Sequence, residues 1–440
     1  MGHKQTAYSP LAEQPGIASI RSSMDPFDGI FESYTRHFAV HGARPDRETR
    51  APWAFARLWD EQGWRPEPGH TILVTGSKGK GTVTRHIAWN LQALGSVGLV
   101  LSPEELTHRD RLRIDNQPID AATFERLWRD IARHQPRMNE AMDDTATGGR
   151  YLSPTGWFLS VGLAWFHERG VRWVVVEGGR GVRHDEIGQL DATLAVVTSV
   201  HGEHLKAIGP GLADVWDDKL SIARRARRLV LGQQVSAQAR ALGRSLPRHA
   251  QVSRMPSTLG DGCVPAWLAL DRQIAADAFA TLAPGRPFHW FGSPSFTESR
   301  LGVRPAWIEP VVHADSLDEA FLRRLAREGI SVVLGLPSDK DVARILARLR
   351  DAGLRDLAAF SLTSPVGHVE SGWLAGHPDV VSLGTLDVVF PDVASARERL
   401  QAHAASRRGL YIIGVQVFTR TMRAVFGIHL GGPAPCPPNN

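Results

Sequence analysis

Between residues 76 and 82 the chain reads Gly-Ser-Lys-Gly-Lys-Gly-Thr, a composition suited to holding phosphate. Gly76, Gly79 and Gly81 permit backbone conformations that turn N–H groups inward, and Lys80 is long enough to reach the β- and γ-phosphates of a nucleotide. The spacing departs from the common pattern G-x-x-x-x-G-K-[ST]: Val74 stands five residues before Gly79, and Gly81 separates Lys80 from Thr82. A plain glycine turn is the simpler alternative for these residues taken alone. Their flanks favour phosphate, because "ILVT" before the loop has the character of a strand and "VTRHIAWNLQALG" after it reads as a helix. Strand, glycine loop and helix in that order aim backbone amides at an anion.

Three further residues carry chemistry only in company. Glu177 closes the apolar run "WVVVE", and a carboxylate at a strand's C-terminal end, opposite a phosphate loop, is a hard oxygen ligand for Mg2+. His204 in "VTSVHGEHLKAIG" would by itself be a surface or packing histidine. Lys219 in "DVWDDKLSIAR" would by itself be an exposed helix lysine.

Taken together, these segments resemble the Mur ligase superfamily, and within it the folylpolyglutamate synthase branch. The resemblance rests on the shortened loop G-x-x-G-K-G-[ST], on Ser102-Pro103, on Arg109-Asp110-Arg111-Leu112-Arg113, and on Asn116 to Ile119, in register within about fifty residues. It continues through Glu177, Gly178, Gly179, Arg183 and Asp185, then His204 and Lys219, and more loosely through "LAPGR" and the Asp339-Lys340-Asp341 element. It implies ATP as a substrate, held by Gly76, Ser77, Lys78, Gly79, Lys80, Gly81 and Thr82, with Arg286 and Asp315 contributing from the second domain. It implies two Mg2+ ions, with Thr82, Ser102, Glu177, His204 and a carbamylated Lys219 as ligands. Lys80, His204 and Lys219 become the expected catalytic residues, whereas Asp339 reads more simply as a helix N-cap. The chain departs from the family pattern at Ser199, at Glu203, and at Val312-His313-Ala314-Asp315-Ser316, where the family carries Asp-Gly-Ala-His-Asn.

Apolar runs such as "TILVT", "WVVVEGG" and "LAVVTSV" alternate with helix-like segments, which predicts an α/β fold with mostly parallel sheets. The expected architecture is a P-loop mononucleotide-binding domain plus a smaller C-terminal Rossmann-like α/β domain. Residues 1–55 read as a polar N-terminal extension, 56–283 as the ATP-binding domain, 284–430 as the second domain and 431–440 as a flexible tail. The Pro-, Gly- and Ser-rich stretch at 283–305 reads as the hinge.

Composition narrows the partners. The 440 residues include 51 basic and 46 acidic ones, a near balance, and the most basic region, "RLVLGQQVSAQARALGRSLPRHAQ", lacks the interleaved aromatics that stack bases, so no nucleic acid is expected. Cys263 and Cys436 are the only cysteines and fit neither a disulfide framework nor a zinc motif. No leader-like segment and no run of about 18 apolar residues occurs, so a cytoplasmic monomer or homodimer is expected, off the membrane.

The resemblance implies an ATP-dependent amide ligase joining a small-molecule carboxylate to an amine such as glutamate. A folylpolyglutamate or dihydrofolate synthase proper, a poly-γ-glutamate synthase-like ligase and a catalytically idle nucleotide-binding subunit are the alternatives. Folates are expected to be poor substrates, because Gly156, Trp157 and Phe158 and the segment "GARPDRETRAPWAFARLWDEQGWRPEPGH" differ from the folate branch.

Overall fold

The computed structural model describes residues 27–428 except 43, 103, 105–106, 143–148, 256–263, 292–295, 312, 339, 364–370 and 389–390. Pro103, Val312, Asp339, both cysteines and the 431–440 tail therefore lie outside the described residues.

The first sheet contains β1 (Thr71–Thr75), β2 (Val97–Val100), β3 (Leu112–Ile114), β4 (Gln117–Pro118), β5 (Trp173–Glu177), β6 (Ala192–Val197), β7 (Ala226–Gly232) and β8 (Ala250–Ser253), in the order β4-β3-β2-β5-β1-β6-β7-β8. Only the β2–β3–β4 pairings are antiparallel. Its central strands are apolar on both faces because both faces are covered. Ile72, Val74, Val175 and Val196 pack under the helices Lys80–Leu91 and Ala266–Leu282, through Val83, Ile87, Ile274 and Phe279. Leu73, Val174, Val176 and Val197 face the opposite way, toward a core that includes the Pro154–Glu168 helix.

The second sheet runs β13-β12-β11-β14-β10-β9, from β9 (Thr297–Leu301), β10 (Arg304–Pro310), β11 (Ser331–Gly335), β12 (Leu357–Thr363), β13 (Val381–Asp387) and β14 (Leu410–Gly414). All pairings are parallel except β9 with β10. Strand β9 lies inside the stretch that reads as a hinge. Its residues, Thr-Glu-Ser-Arg-Leu, have no apolar run to announce a strand; it is an edge strand turned back at Gly302 (φ +63).

The supposed N-terminal extension is also part of the first domain from residue 27 on. Helices Asp28–His41 and Pro52–Gln62 mix exposed charged positions with buried apolar ones, and Ile30, Phe55, Leu58 and Trp59 join the core. Trp59 donates its indole N–H to Ser160 Oγ at 2.8 Å. Phe55 occupies the space over Gly156, where a Cβ would stand 2.2 Å from its ring. Trp157 and Phe158 are buried in the same core, so the Gly156–Phe158 sequence is a packing solution and carries no argument about substrate.

Candidate active site

Strand β1 is paired with β5 on one side and β6 on the other, so Val74 lies opposite Glu177 and Thr75 opposite Val197. The 76–82 loop, Glu177 and the 198–204 segment consequently leave the sheet at one edge, the C-terminal one where α/β sheets bind ligands. A cavity of about 490 Å3 lies there, closed from the other side by Pro310, Val311, Lys340, Val415 and Gln416 of the second domain.

Two of the loop glycines are required by close approach. Gly76 has φ +140, and a Cβ on it would meet Thr198 Oγ1 at 2.1 Å; Gly79 has φ +85, and a Cβ would overlap the Asp271 carboxylate at 2.2 Å. The loop is zipped to the 198–201 segment: Ser77 N donates to Ser199 O at 2.8 Å, Lys78 N to Ser199 Oγ at 2.9 Å, and His201 N to Ser77 Oγ at 2.9 Å. Ser199, a departure from the family pattern, is thus a built-in partner of the loop.

The two lysines differ in role. Lys78 is buried; its ammonium pairs with Glu309 of β10, donates to Ser316 O at 3.2 Å and lies 4.3 Å over the Trp267 ring. Glu309 also accepts from Tyr411 and Trp267. Lys78, expected to contact nucleotide, is therefore engaged across the domain interface. Lys80 is half-buried on the cavity wall, and its one acceptor among the described residues is Ser77 O at 3.5 Å. Its charge faces the cavity.

The expected metal ligands separate in the same way. Glu177, Ser102 and His204 line the cavity, and Glu177 Oε2 accepts from Ser102 N at 3.0 Å. His204 takes φ +54, uncommon for a residue with a side chain, and is partly exposed. Thr82 is fully buried and forms no part of the cavity wall. Lys219 is fully buried as well; its ammonium donates to Gly76 O at 2.9 Å and Arg180 O at 3.2 Å and stands 3.3 Å from Glu203 Oε1. An ammonium so placed is a brace between three loops. Among the described residues no cluster of three or more His, Cys, Asp or Glu side chains could hold a metal. The donors present suit Mg2+, which accepts one or two carboxylates and takes its remaining oxygens from phosphate and water.

Burial alone would raise the pKa of Glu203, but the Lys219 ammonium and neighbouring cations bring it down to about 2 from the ordinary 4.5. Burial lowers the pKa of Lys219, with Glu203 opposing. A carboxyl whose folded pKa is depressed contributes stability that is present above its unfolded pKa and lost as pH falls toward the folded one. Glu203→Gln should therefore flatten the stability profile between about pH 4.5 and 2, read as the urea midpoint against pH. An unchanged acid limb would show that the pair contributes nothing to folding.

The remaining expected residues are placed apart from the main cavity. Arg286 is exposed, next to Gly285, and lines neither this cavity nor the neighbouring one of about 250 Å3. Asp315 lines that smaller cavity with Trp267 and Asp271 and is paired with Arg344 at 2.6 Å. Burial pushes Asp271 well above the usual carboxylate range. Sequence reasoning gave no role to Asp271, Glu309, Arg50 or Arg180. Arg50 is held by Asp185 at 2.9 Å and by Glu186, partners 135 and 136 residues away. Pairings at that distance leave no local signature.

No family model matches the chain. Among curated proteins it is 28% identical over 211 residues to the folylpolyglutamate synthase of Lacticaseibacillus casei, covering 48% of this chain and 45% of that protein. It is 26% identical over 197 residues to the dihydrofolate synthase/folylpolyglutamate synthase of Bacillus subtilis, covering 43% of each. The match thus spans less than half the length of these relatives. Among solved structures it is similar to the Mycobacterium tuberculosis folylpolyglutamate synthase complexed with ADP, with TM-score 0.68 and 20% identity over 92% of this chain and 99% of that one. It is also similar to the Yersinia pestis bifunctional folylpolyglutamate synthase/dihydrofolate synthase complexed with AMPPNP and Mn ion, with TM-score 0.65 and 19% identity over 92% of this chain and all of that one. The structural likeness is one of fold, and both sets of relatives lie in the branch to which the sequence motifs point.

Proposed function

We propose that this chain is an ATP-dependent carboxylate–amine ligase of the folylpolyglutamate/dihydrofolate synthase kind, acting on small molecules in the cytoplasm. The observation that carries the reading is the convergence of the 76–82 loop, Lys80, Glu177 and His204 on one cavity that the second domain closes. Partial coverage by the curated relatives makes the activity a proposal, and their shared substrate class makes folates the first candidates. The expectation that folates are poor substrates loses its main support, since Gly156, Trp157 and Phe158 are core residues.

A carboxylate resists attack by an amine until one of its oxygens carries a good leaving group. Transfer of the γ-phosphoryl group to the carboxylate releases ADP; the amine then forms the C–N bond as phosphate leaves. In this reading the loop amides and Lys80 hold the phosphates and balance charge that grows during transfer. Pro310, Val311, Val415 and Gln416 would limit the access of water to the acyl phosphate from the side of the second domain. Mg2+, held by Glu177, Ser102 and His204, would neutralise phosphate oxygens when bound.

The carbamate on Lys219 belongs to the same proposal. Burial lowers the lysine's pKa and so raises the share of free amine that can attack carbon dioxide. The product would be a second anion beside Glu203, and a divalent cation bound nearby would offset their repulsion. Carbamylation and metal loading are accordingly coupled.

The test is ADP formation with dihydropteroate, folate or tetrahydrofolate as carboxylate and glutamate as amine. Expected is ADP release that needs both partners. ATP binding without ADP release under any combination of partners would favour the idle subunit.

A further inference from the structure

A second cavity, about 910 Å3, opens beside the first. Tyr34, Tyr151, Arg180, Glu203, His204 and Lys340 line both. The second contains no residue of the 76–82 loop and neither Ser102 nor Glu177, so the nucleotide belongs to the first. Arg44, Arg180, Lys206 and Lys340 line the second against two acids, Glu203 and Asp341; Glu203 is paired with Lys219, Asp341 caps the Val342–Asp351 helix, Arg44 is paired with Glu48 at 3.1 Å and Arg180 with Asp46. The lining carries more basic than acidic side chains, which suits an anionic ligand.

Arg180 stands where the two spaces meet. Asp46 takes its guanidinium side-on: Nε donates to Oδ2 at 2.9 Å and Nη2 to Oδ1. Nη2 also lies 3.4 Å from the Tyr151 hydroxyl. Among the described residues Nη1 donates to no protein group, and the side chain is 32% exposed. Its mount is rigid. Asp46 is buried, with its backbone N–H on Ala207 O at 2.8 Å; Arg180 N donates to Asp185 Oδ2 at 3.3 Å, and Arg180 O accepts from Lys219. The side-on pairing with Asp46 leaves the Nη1 edge of the fork at the junction of the two cavities.

We propose that Arg180 is a specificity-determining residue whose Nη1 edge binds the α-carboxylate of the amine substrate. The second cavity then receives an amino acid, as distinct from a simple amine. This rests on the ligase reading above. The carboxylate is anchored on the junction, which leaves the adjacent amino group directed into the first cavity, toward the acyl phosphate.

The experiment measures initial rates of ADP formation at saturating ATP and carboxylate substrate, with glutamate and with 4-aminobutyrate, the amine that remains when the α-carboxylate of glutamate is removed. Wild type, Arg180→Gln and Arg180→Lys are compared, with thermal melts of each. Expected is a rise of about ten- to hundredfold in the KM for glutamate in Arg180→Gln, the range of a charge-assisted hydrogen bond. The ratio of kcat/KM for glutamate to that for 4-aminobutyrate should fall by the same factor. Arg180→Lys keeps a cation for Asp46 but lacks the fork, so it should fold even where Arg180→Gln does not and still show the selective rise. Equal losses with both amines, or a fall in kcat at constant KM for glutamate, would overturn the assignment. A wild type that forms no ADP with any amine would remove the ligase reading itself, and this inference with it.

Discussion

Lys80→Ala lowers kcat/KM for ATP-dependent ligation by about 10²- to 10³-fold and leaves the melting temperature close to that of the parent. A donor aimed at developing charge in a water-poor site typically contributes about 2.7–4 kcal/mol in the transition state. Lys80 lines the cavity and has only a 3.5 Å hydrogen-bond contact, with Ser77 O; the buried Glu203 carboxylate, which also feels its charge, keeps its closer partner Lys219 when Lys80 is removed. Lys78→Ala is the informative contrast. It leaves Glu309 buried in the domain interface without its ammonium, so its loss should register mainly in stability. Steady-state kinetics and thermal melts on the two variants separate the roles; unchanged turnover in Lys80→Ala would remove it from the chemistry.

Lys219→Ala is expected to lose about 3–5 kcal/mol of stability, the usual consequence of leaving a buried charge uncompensated. The uncompensated groups are the Glu203 carboxylate and the carbonyls of Gly76 and Arg180. Because those carbonyls belong to the phosphate loop and to the loop after β5, activity should fall as well. The carbamate makes a sharper demand. Acetate or formate should restore part of the activity of Lys219→Ala without restoring its melting temperature, and wild type incubated with 13C-bicarbonate and Mg2+ should show a carbamate carbon resonance that chelation removes. Absence of that resonance with metal bound would leave Lys219 as the ammonium brace seen in the structure.

Much of the first domain was readable because its central strands are buried on both faces. "TILVT" coincides with β1 and "WVVVE" with β5, and a continuous apolar run needs no partner to be recognised. The glycine loop was equally readable, since Gly76 and Gly79 are demanded by local backbone conformation. The elements that escaped notice follow a different logic. Strand β9 and the β3–β4 hairpin are short or polar and owe their pairing to neighbours. The two N-terminal helices hide their core residues among charges. In the site, Lys78, the first lysine of the loop, could be assigned only after Glu309, 231 residues away, was seen beside it. Arg180 lay in plain view between glycines, but its meaning depends on Asp46 and on the meeting of two cavities.

The central claim is that a carboxylate is activated by phosphoryl transfer and then captured by an amine. The most direct measurement supplies the carboxylate substrate labelled with 18O in its carboxyl group, together with ATP, Mg2+ and glutamate, and follows the label by mass spectrometry of the released phosphate. The account predicts one labelled oxygen per phosphate, formed only when carboxylate and amine are both present. Phosphate that carries no label while amide product accumulates would contradict it.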